Sequence, residues 1–194
     1  MKALWIVLGI LGVLVLGVVL LFTTYIGARN QMVSMSSDVD NAFSEVDVQM
    51  QRRADLIPNL VATVKGYAKQ EETVLDDIAK ARNGLLQAQT PDEKMAANGR
   101  LDVALLPLMR MQENYPQLKS DQHFARLEDE LSGTENRIGV ARKRYNDAVK
   151  AYNVFIGQFP NSIYAGIGSP AYTAKKYFEA TPQGREVPSV DFSK

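Results

Sequence analysis

Residues 3–26 read ALWIVLGILGVLVLGVVLLFTTYI and contain no charged side chain. An α-helix rises about 1.5 Å per residue, so this run is long enough to cross a hydrocarbon core of about 30 Å. A signal peptide is the alternative, but its apolar stretch measures about 7–15 residues and ends at a small-x-small cleavage site. The end of this run, LLFTTYIGARN, offers no such site. The sequence therefore predicts an uncleaved membrane anchor over residues 1–27, which contacts the lipid bilayer through residues 3–26.

The charges that flank this run are the sequence signal for its orientation. Lys2 precedes the run, Arg29 follows it, and Asp38 and Asp40 come next. Because lysine and arginine are enriched on the cytoplasmic side of membrane spans, the pattern slightly favours an N terminus in the cytoplasm and a domain outside.

Composition and motifs exclude several classes of function. Lysine plus arginine equals aspartate plus glutamate, 22 each, so no net charge attracts the chain to nucleic acid. There is no cysteine for a thiol nucleophile or a metal ligand, and His123 is the only histidine. His123 with Asp121 or Glu128 is a thin ligand set, so a surface or capping role is favoured. The sequence has no zinc-protease, phosphate-loop or serine-elbow motif, and we expect no enzyme and no cofactor.

Helical periodicity dominates the chain after the anchor. Apolar or small residues recur at steps of three, four and seven, which is the spacing of one face of an amphipathic helix. The first stripe comprises Val39, Phe43, Val46, Met50, Ile57, Val61, Val64, Ala68, Leu75 and Ile78. The last stripe comprises Phe124, Leu127, Leu131, Ile138, Tyr145, Val149, Tyr152 and Ile156. No segment alternates with period two for long enough to predict a strand.

Capping signals divide these stripes into helices. Thr90, Pro91 and Glu93 form the signature of a helix start, and NYP ends that helix near residue 113. Ser120 is the expected cap of the last helix, which QFPN ends. The fold class predicted is all-α. An N-terminal transmembrane helix precedes an antiparallel four-helix bundle over residues 28–157, with long helices 1 and 4 and shorter helices 2 and 3. The alternative is three helices, with the first unbroken to residue 88.

The expected arrangement gives a specific partner to Arg53. In the stretch QRRADLIP, the apolar period continues through Pro58, which predicts a kinked helix rather than a new start. Arg53 falls on the apolar stripe, where an unpaired charge is strongly destabilising. If helices near 30–66 and 121–157 are antiparallel, facing residue numbers sum to roughly 187. The sequence therefore predicts an ion pair between Arg53 and Glu135, with Asn136 or Glu128 assisting.

Polar residues also form a second stripe on the last helix, made by Glu135, Arg142, Asn146 and Asn153. The favoured interpretation is a polar flank that determines the register between helices. The alternative is a polar binding site between helices.

Residues 158–194 form a C-terminal tail rich in proline, glycine and aromatic residues. Its aromatic residues argue against disorder. We expect it to lie near the anchor, with one short helix near AYTAKKYFEA. The aromatic residues expected at the membrane interface or the base of the bundle are Tyr164, Tyr172, Tyr177 and Phe178.

Three long segments resemble the LemA family of bacterial membrane-anchored proteins. They are NAFSEVDVQMQRRADLIPNLVATVKGYA, ENYPQLKSDQHFARLEDELSGTENRIGVARKRYNDAVKAYN, and FPNSIYAGIG with the following YFEA and VPSVDF. The resemblance implies a four-helix bundle behind one transmembrane helix, and no established activity. Together with the charges that flank the run, it predicts a single-pass protein of the bacterial inner membrane, with the domain on the periplasmic side. Some relatives are linked to membrane organisation, including one involved in forming magnetosomes.

Two functions remain as hypotheses. The first is a membrane-anchored scaffold that self-associates as a homo-oligomer or binds a membrane-protein partner. The second is a ligand-binding or regulatory sensor that uses the polar stripe between helices. A small-molecule pocket between helices would favour the sensor.

Overall fold

A computed structural model of the protein describes residues 2–68 and 71–179, which are helical apart from turns, bends and the segment 171–179, which has no regular secondary structure. Within these residues the chain forms the helices α1 (Lys2–Tyr67), α2 (Glu72–Gln87), α3 (Pro91–Asn114), α4 (Pro116–Lys119), α5 (Gln122–Gly157) and α6 (Asn161–Gly166). The expected all-α class and the long apolar N-terminal helix are both confirmed.

The anchor run and the first packed helix are one continuous helix, α1. The sequence divided them near residues 27–30, but the structure has no helix end there. Residues 28–38 contain neither proline nor glycine, so nothing in this stretch interrupts the backbone hydrogen bonds. Pro58 lies inside α1, as the periodicity indicated. Ile57 and Leu60 are buried on either side of it, and their packing offsets the roughly 3 kcal/mol cost of an internal proline. A kink at Pro58 stays a prediction.

The helix boundaries around α2 and α3 follow the sequence signals closely. Because α1 ends at Tyr67 and α2 begins at Glu72, the alternative of one unbroken helix to residue 88 is wrong. Thr90 Oγ1 accepts a hydrogen bond from the Glu93 amide at 3.2 Å, and Glu93 Oε2 accepts one from the Thr90 amide at 3.1 Å. The expected capping box is therefore present. Hydrogen bonds from the Gln89 and Thr90 amides hold the pKa of Glu93 below its usual value.

The start of α5 corrects the sequence prediction. Asp121, not Ser120, is the cap, because Asp121 Oδ1 accepts hydrogen bonds from the amides of His123 and Phe124 at 2.8 and 2.9 Å. The Ser120 hydroxyl instead donates to the Pro116 carbonyl at 2.9 Å, within the turn of α4. The short helix α4 was not predicted, and it supplies that alternative partner.

The described chain divides into two compact units. Of the described residues, the first unit contains 2–41 and 146–177, and the second contains 42–68, 71–145 and 178–179. The apolar core of the first unit includes Met32, Val39, Val149, Tyr152 and Ile156. The core of the second unit includes Val46, Met50, Ile57, Leu60, Ile78, Leu101, Leu108, Phe124 and Ile138.

Within the second unit, α1 and α5 run antiparallel. Glu45 pairs with Arg144 at 3.0 Å, and Gln49 accepts a hydrogen bond from Arg137 at 3.2 Å. The partner numbers fall along α5 as they rise along α1, which is the direction that the register argument assumed.

The C-terminal tail differs from its predicted form. Its helix is α6, whereas residues 171–179 of the expected AYTAKKYFEA helix have no helical structure. The physical reason is a side chain: Asn153 donates to the Lys175 carbonyl at 2.8 Å and accepts from the Lys175 amide at 2.9 Å. These bonds occupy the backbone groups that a helix would use. Residues 180–194 of the predicted tail lie outside the described residues.

Candidate functional site

Arg53 lies at the centre of a charged cluster in the second unit, formed by Arg53, Asn98, Asp102 and Glu135. Arg53 is 6% exposed, as its position on the apolar stripe of α1 requires. Its Nη1 donates to Glu135 Oε2 at 2.8 Å and also to Asp102 Oδ1. The structure therefore brings the predicted partners Arg53 and Glu135 together, and it adds a carboxylate from α3 that the sequence analysis missed.

The signal for Asp102 was present in the sequence of α3. Asn98 and Asp102 are four residues apart, and they lie among the buried residues Ala97, Leu101 and Leu105. Asn98 is fully buried, and its Nδ2 donates to Asp102 Oδ2 at 3.2 Å. Two polar residues at helical spacing inside an apolar stripe indicate a partner on another helix.

The chemistry of the charged cluster is that of a structural contact. A guanidinium has hydrogen-bond donors and no acceptor, so Arg53 binds the carboxylates as a donor. It connects α1 to α3 through Asp102 and to α5 through Glu135. A role of this contact in determining the register of the helices stays a prediction.

Two residues of the polar stripe of α5, Arg142 and Asn153, contact the tail at separate places. The Arg142 guanidinium lies 4.4 Å from the centre of the Phe178 ring, and Phe178 packs edge-on against Tyr145 with centroids 6.5 Å apart. Asn153 makes the paired backbone bonds to Lys175, and Asn146 is half-buried. Arg142 and Asn153 thus bind protein groups, which the sequence did not predict.

Lys175 connects the tail to α1 in the first unit. Its ammonium group donates to Asp40 Oδ1 at 2.6 Å and to the Ser36 carbonyl at 3.2 Å. It also lies 5.7 Å from the centre of the Tyr152 ring. Burial raises the pKa of Tyr152, whose hydroxyl therefore stays neutral over the physiological range.

The tail also contacts the end of the anchor run, in a set of contacts called here the anchor collar. It joins Thr24, Tyr25 and Arg29 of α1 to the chain between Tyr164 and Tyr172. The rings of Tyr25 and Tyr164 pack edge-on with centroids 5.5 Å apart, and the Tyr164 hydroxyl is 3.4 Å from Thr24 Oγ1. The tail aromatic Tyr164 is therefore at the end of the membrane run, where the sequence placed it.

Arg29 and Gly168 complete the anchor collar. The Arg29 guanidinium lies 4.5 Å from the centre of the Tyr172 ring and donates to the Pro170 carbonyl at 3.3 Å. Gly168 turns the chain with a φ of +91°, and a Cβ there would lie 3.3 Å from the Tyr25 hydroxyl. Of the four predicted tail aromatics, Tyr164 and Tyr172 belong to the collar, Phe178 packs on Arg142, and Tyr177 is 44% exposed.

Surface grooves in the second unit lie away from the charged cluster. One of about 480 Å³ lies between α2 and α3 and is lined by residues including Val74, Gly84, Arg100 and Pro107. Another of about 330 Å³ lies between α1 and α2, next to Val61 and Leu75. Neither groove is lined by Arg53, Asp102 or Glu135.

Within the described ranges, α1 is the one helix whose length and composition suit a membrane crossing. Its apolar window is fully exposed to the surroundings. The sequence profile of the LemA family matches residues 42–192, which is more than half of the chain. The chain belongs to the LemA family.

Individual relatives of this LemA-family chain are distant in sequence. The magnetosome protein MamQ 2 of Paramagnetospirillum magneticum is 27% identical over 196 residues, covering 88% of this chain and 71% of the relative. The magnetosome protein MamQ of Magnetospirillum gryphiswaldense is 26% identical over 200 residues, covering 90% and 73%. Protein LemA of Metamycoplasma hominis is 22% identical over 146 residues, covering 75% and 67%.

The charged cluster lies wholly inside the region that the family profile matches, whereas the anchor collar lies partly outside it. Arg53, Asp102 and Glu135 all lie inside residues 42–192, so the charged cluster belongs to the LemA region. The collar draws Tyr164 and Tyr172 from that region, whereas its anchor residues precede it. The collar thus connects the LemA region to the membrane run of this chain.

Proposed function

We propose that this LemA-family chain is a membrane-anchored helical scaffold. In this proposal α1 crosses the bacterial inner membrane once, and the helical domain lies on the periplasmic side. The domain is an antiparallel four-helix bundle built from the second part of α1 with α2, α3 and α5. It self-associates or binds a membrane partner, and it catalyses no reaction.

One observation carries the proposal. The apolar run continues without a linker into the part of α1 that packs on α5 and the tail, where Met32 and Val39 are fully buried. An anchor joined through an ordered helix transmits position and orientation to whatever packs on it, which is the requirement of a scaffold. Two relatives are named as magnetosome proteins. By this likeness we propose a role in membrane organisation for this chain.

The charged cluster supports a structural role for the domain. Its guanidinium is already bound by two carboxylates, one of them on α3 and one on α5. A ligand would have to displace a carboxylate from a buried arginine to use this guanidinium. The exposed apolar side chains of α3, Val103 and Leu106, instead offer a surface for a protein partner.

The second candidate function is a sensor, and one observation favours it. Among the described residues, Arg53 Nε and Asn98 Oδ1 are buried without a hydrogen-bond partner. Buried polar atoms are usually hydrogen-bonded, so a small polar ligand or a water molecule could supply the hydrogen bonds that these two atoms lack.

Chemical crosslinking in native membranes separates these functions. The full chain is expressed with a tag, crosslinked through its lysines before solubilisation, and analysed by mass spectrometry of the crosslinked peptides. We expect intermolecular crosslinks between copies of the chain, or to one stoichiometric membrane protein. A chain that stays monomeric and uncrosslinked, and whose unfolding temperature rises with a small polar ligand, would establish the sensor instead.

A further inference from the structure

The short helix α6 and the residues just outside its ends carry large apolar side chains that the described residues leave half or more exposed. Phe159, just before the helix, is 82% exposed, Ile163 is 52% exposed, and Ile167, just after it, is 50% exposed. Ile163 lies within α6, and Phe159 and Ile167 lie just outside its two ends, so the three exposed side chains are close together along the chain. A soluble surface rarely exposes three neighbouring large apolar side chains without a partner.

Other residues of α6 pack at the end of the anchor run. Ala165 is 5% exposed, and Tyr164 makes the ring contact with Tyr25 and the hydroxyl contact with Thr24. The helix is therefore held at the height along α1 where the uncharged run ends. Its exposed apolar side chains lie at that height too.

Within the described part of the tail, the path of the chain puts α6 nearest to the end of the anchor run. After α5 ends, the chain reaches Tyr25 at Tyr164 and turns back at Gly168. It then passes Arg29 at Pro170 and Asp40 at Lys175. Contact partners on α1 thus move away from the anchor as the tail proceeds. The lowest point of this hairpin-like path is α6.

The length of the run places this lowest point at the membrane boundary. An uncharged run of about 24 residues measures about 36 Å as a helix, which exceeds a hydrocarbon core of about 30 Å. Thr24 and Tyr25, at its end, therefore lie where the acyl chains meet the headgroups. Tyrosine is enriched at this depth in membrane proteins.

We propose that the face formed by Phe159, Ile163 and Ile167 inserts into the bilayer that α1 crosses, as a second contact with lipid. This inference rests on the proposed membrane anchoring of α1. Short apolar faces at the headgroup boundary bury large side chains in the outer part of the acyl region. The anchor collar then holds α1 and α6 together at the surface, so that the domain has two points of attachment instead of one.

The absence of cysteine makes the test simple, because each probe needs a single substitution in the full chain. An environment-sensitive fluorophore is attached at Ile163→Cys, and the chain is reconstituted in phosphatidylcholine and phosphatidylglycerol vesicles. The matched control is Val154→Cys, which is 48% exposed. Val154 lies farther from the membrane boundary than Ile163 does. Its neighbour Asn153 bonds to Lys175, and Lys175 bonds to Ser36, which lies about 16 Å beyond Tyr25 along α1. A probe at Leu14→Cys reports whether the anchor itself is inserted.

Lipids that carry a nitroxide near the headgroup quench a probe at the membrane boundary, lipids that carry it deep in the acyl chain quench a probe at position 14, and iodide quenches from water. We expect lipid quenching at position 163 to exceed that at position 154 at least about two-fold, with the reverse order for iodide. Equal iodide quenching at both positions would overturn the inference, as would a probe at 163 shielded from lipid and iodide alike, because a second copy would then cover the face. If the Leu14 probe escapes lipid quenching, both the anchor and this inference are wrong. If only the Leu14 probe is quenched, the inference alone is wrong.

Discussion

Arg53 and Glu135 are 82 positions apart in the sequence, and their charged groups lie 2.8 Å apart in the structure. The guanidinium is buried, whereas the side chains of Asp102 and Glu135 are 29% and 43% exposed. One buried cation therefore holds two carboxylates that still reach water at the edge of the core. This geometry explains how α1 accommodates a charge on its apolar stripe.

Arg53→Met should destabilise the protein by about 2 kcal/mol. A fully buried pair would lose more, but the two carboxylates are partly exposed and regain water when the arginine is removed. The measurement is urea unfolding of the full chain in mild detergent, followed by helical circular dichroism. Arg52→Met is the matched control, because Arg52 is the exposed neighbour and should change stability by less than about 0.5 kcal/mol. Equal effects of the two substitutions would remove the structural role assigned to Arg53.

Asn153→Ala should release the extended tail. The substitution removes both hydrogen bonds to the Lys175 backbone, each worth about 1 kcal/mol. Hydrogen exchange over residues 171–179 should therefore accelerate by about ten-fold or more. Asn136→Ala, at an exposed position of α5, is the control and should leave that exchange unchanged. Unchanged exchange in both variants would show that other contacts hold the tail.

Gly168→Ala should loosen the anchor collar, because an L residue at a φ of +91° is strained and its Cβ would press on the Tyr25 hydroxyl at 3.3 Å. The expected cost is about 1 kcal/mol or more. The amide of Tyr172, which donates to the Ala165 carbonyl at 3.0 Å, should lose protection from exchange. Gly166→Ala meets no atom within 4 Å and should keep that protection. Equal protection in both variants would contradict the tight turn.

Tyr67→Phe should raise the pKa of Asp121. The Tyr67 hydroxyl donates to Asp121 Oδ2 at 2.7 Å, and this bond is the largest cause of the lowered pKa of that carboxyl. The amides of Phe124 and His123 remain, so the pKa should rise without reaching its ordinary value. Carboxyl chemical shifts from an NMR pH titration give the result, with Tyr177→Phe as an exposed control. An Asp121 pKa that is the same in both variants would contradict the assigned cause.

The same contact has a defined effect on stability. A lowered folded pKa stabilises the folded state above the unfolded value of about 3.9, and this contribution is lost as pH falls through the folded pKa. The wild-type chain should therefore lose more stability than Tyr67→Phe does when the pH falls below about 4. The comparison uses urea unfolding at stepwise lower pH.

The helix positions and the contact between Arg53 and Glu135 could be predicted from the sequence, because both depend on helical periodicity and helix length. The helical period of α1 and α5, with an antiparallel arrangement, was enough to match Arg53 with Glu135. Asp102 was missed, because the rotation of α3 about its axis depends on packing that the period does not specify. The buried Asn98 and the half-buried Asp102, four residues apart on α3, were the available sequence signal.

The tail could not be predicted in the same way. Its local propensity suggested a helix at AYTAKKYFEA, but tertiary hydrogen bonds from Asn153 hold residue 175 in an extended form. A side chain from a distant helix decided the outcome, and no local pattern contains that information. The cap of α5 was assigned to the adjacent serine for a related reason, since α4 gives Ser120 another partner.

The central claim, that α1 anchors this chain in a membrane, is tested most directly by sequencing its N terminus after expression in bacteria. The protein is recovered separately from carbonate-washed membranes and from the soluble fraction, and each pool is sequenced. The account predicts a carbonate-resistant protein that still carries residues 4–26. A soluble protein whose N terminus begins beyond residue 25 would contradict it.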